Sequence, residues 1–292
     1  MDLNTVSEFA PAPDATWRDG DAWLGGGTYL FSVPQPKLTR LLDLQAFGWT
    51  PIEESADGVL IAATCTFAQL AGWQPADPRY AGAAELARQC CHALLGSFKV
   101  HNVATVGGNI CLSLPAGPMT SFASALDGAV LLRGPDGRRR TMPVESFVTG
   151  DNRNALRPGE LLTHVWLPAP ALTARFAFRQ LSLSPVGRSA VLVIARRATA
   201  ASATAASATA ARDTVAGNSE GYGTAGTTVV TVTASTPRPV RLRFPAPPAP
   251  AEAAAMLAAA GPQYLDDVHG SAPWREAMTR RLVTEVLGEL AG

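Results

Sequence analysis

Two glycine-rich segments, about 80 residues apart, are the parts of the sequence best suited to hold an anionic ligand. The first is Gly25-Gly26-Gly27-Thr28, directly after the predicted strand Asp21–Leu24, and the second is Thr105-Val106-Gly107-Gly108-Asn109. Consecutive glycines allow positive φ angles, so that backbone N–H groups can converge on an anion, and an adjacent threonine hydroxyl adds a donor. Each segment alone is more typical of a structural turn. Two of them in one small domain suit a cofactor that contains a diphosphate.

The sequence has none of the standard nucleotide motifs at these segments. A P-loop needs Gly-x-x-x-x-Gly-Lys, and a Rossmann fold needs Gly-x-Gly-x-x-Gly at the start of a helix; both are absent. The four histidines share no metal-ligand spacing, and no serine lies in a Gly-x-Ser-x-Gly elbow. The four cysteines form no C-x-x-C pair. These observations argue against a zinc site, an iron–sulfur cluster and a serine hydrolase.

Strands and helices alternate around the two segments. Thr66 is typical of a helix cap, Gly72 of a helix end and Pro118 of a first helical turn. Gly134-Pro135-Asp136-Gly137 separates two strand-like runs and predicts a hairpin. The predicted strands are 21–24, 58–63, 129–133, 140–142 and 161–167, the predicted helices are 66–71, 78–95 and 118–126, and residues 101–109 are expected to form a loop.

The pattern changes near residue 172. Four strand-like runs follow, at 175–181, 190–194, 227–233 and 240–244, and then two helices, at 249–260 and from Ser271 to the end of the chain. Residues 198–226 lack periodicity and are expected to form a long, mobile surface loop. The sequence therefore predicts an α+β protein with a domain at 1–172 and a second domain at 173–292.

Composition narrows the classes of function. The chain has 292 residues, with 24 Lys plus Arg balanced by 24 Asp plus Glu. Zero net charge argues against a nucleic-acid protein, whose phosphate contacts need a cationic excess. The first ten residues lack the basic start of a signal peptide, and no apolar run is long enough to span a bilayer. We expect a cytoplasmic protein with no membrane span.

Several segments resemble one family. Asn102-Val103-Ala104-Thr105-Val106-Gly107-Gly108-Asn109-Ile110, followed by Leu114-Pro115-Ala116-Gly117, resembles the second FAD-binding segment of the medium (flavoprotein) subunit of molybdenum hydroxylases. This is the family of xanthine dehydrogenase and aerobic carbon monoxide dehydrogenase. Residues 24–30 resemble its first FAD loop, and residues 41–44 the segment that follows it. Parts of 150–168 and of 266–275 are similar to the end of its flavin domain and to its C-terminal domain.

The resemblance implies the FAD-binding fold of the vanillyl-alcohol oxidase (PCMH) type, with subdomains at about 1–63 and 64–172, plus a C-terminal α+β domain. Backbone and hydroxyl groups of the first segment would bind the diphosphate, and the second segment would line its other side. Arg179 stands where the family commonly has a lysine that reaches the flavin. A water-facing arginine at a strand end is equally compatible with the residues. The implied FAD-binding residues are Leu24, Gly25, Gly26, Gly27, Thr28, Tyr29, Asn102, Val103, Ala104, Thr105, Gly107, Gly108, Asn109, Leu156 and Arg179.

The sequence departs from the family pattern at two positions. Tyr29 and Pro118 stand where the family usually has an aspartate that would contact the polar chain of the flavin. Tyr29 can still donate a hydrogen bond. Pro118 can still begin a helix, whose N-terminal dipole favours an anion.

By resemblance, the chain is the FAD-carrying electron-transfer subunit of a heteromeric molybdenum hydroxylase. Its partners would be a molybdopterin-binding large subunit and a small subunit with 2Fe-2S clusters. Electrons would leave the flavin for NAD, a quinone or oxygen. Two alternatives stay open at this point: a stand-alone FAD oxidoreductase of the same fold, and a scaffold subunit that has lost its flavin.

Overall fold

A computed structural model of the chain describes residues 3–210 and 224–291, the side chains of residues 207–210 excepted. Its strands are β1 (Glu8–Pro11), β2 (Asp21–Leu24), β3 (Arg40–Asp43), β4 (Ile52–Ser55), β5 (Gly58–Ala62), β6 (Ala129–Arg133), β7 (Arg139–Pro143), β8 (Val148–Gly150), β9 (Arg153–Asn154), β10 (Leu161–Pro168), β11 (Arg175–Leu181), β12 (Val191–Arg197), β13 (Thr228–Thr233) and β14 (Val240–Phe244).

The helices are α1 (Phe67–Ala71), α2 (Ala81–His92), α3 (Phe98–His101), α4 (Val106–Leu112), α5 (Pro118–Ala125), α6 (Val144–Phe147), α7 (Ala169–Leu172), α8 (Ala200–Ala210), α9 (Pro250–Ala259) and α10 (Ala272–Ala291). Among the residues described, no helix combines the length and the apolar character needed to cross a bilayer.

Three sheets organise these elements, and their pairing gives the mixed helix-and-sheet architecture predicted from the sequence. The first is parallel, in the order β1-β3-β2. The second is antiparallel, in the order β4-β5-β10-β6-β7. The third is the antiparallel meander β11-β12-β13-β14. A two-stranded ribbon, β8-β9, completes the pairing.

The strand pairing suggests a subdomain boundary other than the predicted one. The sequence places it near residue 63, after β5. In the structure, β5 pairs with β10 and β4 pairs with β5, so both strands belong to the second sheet. We therefore propose a subdomain boundary between β3 and β4. A strand's partner far along the chain decides its sheet, and strand composition does not reveal that partner.

Predictions that depend on interactions between residues close together in the sequence are confirmed. Thr66 and Gln69 form a reciprocal capping box at α1, because each side chain bonds the backbone N–H of the other residue. The hairpin β6-β7 forms around Gly137, whose φ is +80°. The apolar stripe of α10 is buried against the third sheet, as its helical spacing predicts.

Two predicted loops contain helices instead. Gly107 and Gly108 lie in the first turn of α4, which Thr105 caps by accepting a hydrogen bond from the Gly108 N–H. Within 198–226, residues 200–210 form α8, while 211–223 lie outside the described residues. Alanine has the highest helix propensity, and Thr199 and Ser202 bond each other's N–H at its start. Helix formation there does not need the apolar periodicity that the sequence lacks.

A buried charge cluster connects the end of α5 to the third sheet. Asp127 accepts hydrogen bonds from Arg196 on β12 and Arg241 on β14, and Arg241 also pairs with Glu145 at 2.7 Å. The side chains of Arg196, Arg241 and Asp127 are 7%, 12% and 11% exposed. These charges balance one another away from water, so each depends on the others.

Replacing Asp127 with Asn leaves the buried guanidinium groups without their central counter-charge. We expect the free energy of unfolding to fall by about 3–5 kcal/mol, the range for removing one partner of a buried ion pair. The control Glu85→Gln breaks an ion pair whose side chains are about half exposed, and it should change this free energy by less than about 1 kcal/mol. Urea unfolding measures both, and equal losses in the two variants would contradict the assignment.

The same cluster predicts a loss of stability in acid. Burial opposes ionisation of Asp127, but the neighbouring guanidinium groups of Arg196 and Arg241 outweigh it and hold its pKa below the ordinary 3.8. The stabilisation is therefore complete above about pH 4 and is lost as the pH falls through the folded-state pKa. Unfolding free energies measured in this window should fall more steeply for the wild type than for Asp127→Asn.

Candidate cofactor-binding site

A cleft of about 520 Å³ lies between the two glycine segments, within the size range of small-molecule sites. Its lining comes from the end of β2 and the loop after it, the segment after α2, the start of α4, and the stretch from α4 to α5. One residue, Arg188, comes from the loop between β11 and β12. The lining residues are Trp23, Leu24, Gly25, Gly26, Gly27, Thr28, Tyr29, Leu30, Ser32, Ala93, Leu94, Leu95, Val100, Ala104, Thr105, Gly108, Asn109, Cys111, Leu112, Leu114, Ala116, Gly117 and Arg188.

The position of β2 is set by two contacts at its ends. Asp21 is buried and accepts hydrogen bonds from Arg40 on β3, at 2.8 and 2.6 Å. Trp23 donates from its indole N–H to the Glu160 carbonyl oxygen at 3.1 Å. The strand, and with it the start of the first glycine segment, is therefore tied both to its own sheet and to the segment before β10.

The first glycine segment lines the cleft and has unpaired backbone donors. No acceptor among the described residues bonds the N–H groups of Gly26, Gly27 or Thr28. Gly27 has a φ of +68°, and its carbonyl oxygen accepts from the Phe31 N–H, which turns the chain back. Successive free amides in such a turn make a concave site for an anion.

The two glycine segments touch at Gly26. A Cβ atom added there would lie 1.5 Å from the Val103 carbonyl oxygen, and one added at Gly25 would lie 2.9 Å from Thr105 Oγ1. No side chain fits in the first gap. Glycine is required here by the close approach of two backbones, which brings the free amides next to the second segment.

The second segment works differently, because the N–H groups of residues 106–109 are already bonded within the protein. Val106 and Gly107 donate to the carbonyl oxygens of Cys65 and Ala63, and Gly108 donates to Thr105. A Cβ at Gly107 would lie 2.5 Å from that of Ala63, so Gly107 lets α4 pack against the end of β5. Asn109 Oδ1 accepts from the Met119 N–H, which leaves its amide nitrogen as a donor at the cleft.

The cleft is mainly apolar and has one charged side chain. Its lining contains no Asp, Glu, Lys or His, and Arg188 is its one cation among the residues described. Burial raises the pKa of the Cys111 thiol to about 12, so that this group stays neutral. A net positive, acid-free cleft with free backbone donors suits an anionic ligand that carries apolar rings.

The structure brings most of the predicted site residues together. Ten of the fifteen line the cleft: Leu24, Gly25, Gly26, Gly27, Thr28, Tyr29, Ala104, Thr105, Gly108 and Asn109. Val103 and Gly107 support it through the backbone contacts above, and Asn102 is exposed beside them. Leu156 is half-buried and packs against the main core instead.

Arg179 is placed elsewhere. It lies on β11 and pairs with Glu285 at 3.4 Å and Glu289 at 2.7 Å, both on α10. It does not line the cleft, whereas Arg188, which the sequence reasoning missed, does. No local pattern distinguishes these two arginines, because the difference depends on where α10 packs.

The fold and the cleft define a protein that binds a phosphorylated, ring-bearing cofactor. Residues 14–170, more than half of the chain, match the family described as the FAD binding domain in molybdopterin dehydrogenase. The chain belongs to this family, and its cofactor is FAD. The glycine segments, the free amides and the absence of acidic side chains in the described cleft lining all fit a dinucleotide with a negatively charged diphosphate.

Relatives agree with this family. The chain is 28% identical over 162 residues to the carbon monoxide dehydrogenase medium chain of Afipia carboxidovorans, which is 54% of each chain. It is 34% identical over 91 residues to the nicotinate dehydrogenase FAD-subunit of Eubacterium barkeri, which is 30% of each chain. The matches therefore span about half or less of these relatives' lengths.

Solved structures establish the fold over nearly the whole chain. A chain of CO dehydrogenase from Oligotropha carboxidovorans matches with a TM-score of 0.76 at 21% identity, covering 97% of this chain and 96% of that one. A chain of quinoline 2-oxidoreductase from Pseudomonas putida 86 matches with a TM-score of 0.70 at 18% identity, covering 97% of both chains.

Gly26→Ala tests the contact on which the cleft depends. The added methyl group must separate the two segments, so we expect a loss of about 1–3 kcal/mol in the free energy of unfolding and a loss of at least about tenfold in FAD affinity. Fluorescence titration of the flavin-free protein and urea unfolding measure the two effects.

Gly288→Ala is the matched control, because Gly288 lies in α10 with no atom within 4 Å of an added Cβ. It should leave FAD affinity unchanged and stabilise the helix by up to about 1 kcal/mol. Normal FAD binding by Gly26→Ala would rule out the contact as a requirement for the site.

Proposed function

We propose that this chain is the FAD-carrying electron-transfer subunit of a heteromeric molybdenum hydroxylase that acts in the cytoplasm. The observation that supports it most directly is the run of unbonded amides at Gly26, Gly27 and Thr28, in a segment that lines a cleft in a chain of the FAD-binding family. Bound FAD supplies a redox centre that accepts electrons from one partner and passes them to another.

The residues of the cleft have distinct parts in this function. The amides of the first segment and the Thr28 hydroxyl hold the diphosphate by hydrogen bonds from fixed donors. Asn109 adds a side-chain donor from the opposite wall. The apolar residues of the lining, among them Leu94 and Leu112, cover the ring systems and exclude water. Tyr29 occupies the place where the family pattern has an acid, and its hydroxyl offers a polar contact without adding negative charge near the diphosphate.

The proposed partners are a molybdopterin-binding large subunit and a small subunit with 2Fe-2S clusters. Several relatives are themselves named as parts of larger enzymes: a medium chain, an FAD-subunit and a subunit beta. Within the described part of the chain, no group of three or more His, Cys, Asp or Glu side chains is placed to hold a metal ion. Electrons would therefore arrive from clusters on a partner and leave for NAD, a quinone or oxygen.

Purification of the native protein tests this function. We expect it to bring down a molybdenum-containing chain and an iron–sulfur chain, to show the absorbance bands of flavin, and to release FAD on denaturation. Protein that binds FAD but copurifies with neither partner would support a stand-alone oxidoreductase. A partnered protein without flavin absorbance, and unable to take up added FAD, would identify a scaffold subunit.

A further inference from the structure

Arg188 is a cation in the cleft that has no partner among the residues that the structure describes. Neither an ion pair nor a hydrogen bond joins its guanidinium group to any residue the structure describes, although it lines the cleft and is half-buried. A half-buried guanidinium group loses part of its hydration, and an anionic ligand in the cleft would compensate for that loss. We propose that Arg188 binds the diphosphate of the cofactor. This inference rests on the proposed function, since it assigns a ligand contact within the same site.

The first glycine segment and Arg188 offer complementary groups to one anion. The amides of Gly26, Gly27 and Thr28 are neutral donors in fixed positions. Arg188 adds a full positive charge and a planar fork of N–H groups, which matches the oxygens of a phosphate. No acidic side chain among the described lining residues competes for the guanidinium group. The diphosphate is the part of FAD that carries negative charge, so the assignment follows from charge.

The loop that carries Arg188 is closed by its own hydrogen bonds. The Ala190 N–H donates to the Leu181 carbonyl oxygen at the loop base, at 2.9 Å. The Gly187 N–H donates to the Ser184 carbonyl oxygen at 3.0 Å, and this turn lies directly before Arg188. Ser189 and Ala190, which follow Arg188, are buried. The backbone on both sides of Arg188 is thus held in one place.

A buried arginine anchors the base of this loop. The Arg275 side chain is 2% exposed and donates to the carbonyl oxygens of Ala190 and Ala234, at 2.6 and 2.8 Å. It also donates to Gly270 and pairs with Asp267. The contacts fix the first turn of α10 to the start of β12. The C-terminal part of the chain therefore holds Arg188 at the cleft, and the cofactor contacts both halves of the protein.

Arg179, on the neighbouring strand β11, is an arginine with a structural role and provides a comparison for Arg188. Its guanidinium group pairs with Glu285 and Glu289, so its charge is balanced within the protein. Arg188, nine residues further along the chain, has no such carboxylates among its described neighbours. The contrast indicates that Arg179 stabilises the fold, whereas Arg188 is suited to bind a ligand.

The test compares Arg188→Gln with the control Arg138→Gln in the full chain freed of flavin. Arg138 lies at the β6-β7 hairpin, and its side chain is 90% exposed. Binding of FAD, ADP and riboflavin is measured by titration at low and high salt, because screening weakens a charge contact. Thermal unfolding of both flavin-free variants shows whether the fold is intact. The variant Arg188→Lys shows whether a positive charge alone restores binding of FAD and ADP.

We expect Arg188→Gln to weaken FAD and ADP by about tenfold, the effect of one charge-assisted hydrogen bond, and to leave riboflavin unchanged. The loss should shrink at high salt, Arg188→Lys should recover part of it, and Arg138→Gln should bind as wild type. Unaltered binding of FAD and ADP by Arg188→Gln would overturn the proposal. So would a loss confined to FAD and riboflavin, which would place Arg188 at the flavin ring. If the wild type itself fails to bind FAD, the proposed function fails first.

Discussion

The close approach of Gly26 to the carbonyl oxygen of Val103 is the constraint on which the cofactor cleft depends. It joins segments that are about 80 residues apart in the chain, in a gap too narrow for any side chain. The first segment is held by β2 and its contacts with Arg40 and Glu160. The second is held because Gly107 allows α4 to pack on Ala63. The unbonded amides therefore lie on segments that are already held in place, which lowers the entropic cost of ligand binding.

Buried charged side chains attach the C-terminal part of the chain to the FAD-binding part. Asp127 connects α5 to β12 and β14, and Arg275 connects α10 to the base of the loop before β12. Such pairs contribute little net stability but are costly to break one partner at a time, so they define how the sheet sits against the FAD-binding part. That placement is what carries Arg188 to the cleft.

Short-range chemistry made much of the fold predictable. The Thr66 cap, the Pro118 helix start, the β6-β7 hairpin and the apolar stripe of α10 each depend on residues within a few positions of one another. The predictions were wrong where the structure depends on distant contacts or on helix propensity alone. The glycines at 107 and 108 lie in a helix because Thr105 caps it, and residues 200–210 are helical without an apolar face. The pairing of β5 with β10, which joins residues about 100 positions apart, is likewise not specified by the residues of either strand.

The sequence by itself determined the glycine segments, the family and hence FAD as the cofactor, because these depend on residue types in a fixed order. Only the tertiary structure decided which groups face the cleft. It paired Arg179 with carboxylates of α10 and placed Arg188 in the lining of the cleft. It also showed that the first segment has more backbone N–H groups without a partner among the described residues than the second. The physical reason is that ion pairs and backbone hydrogen bonds depend on which residues are neighbours in space, and the order of residues in the sequence does not specify those neighbours.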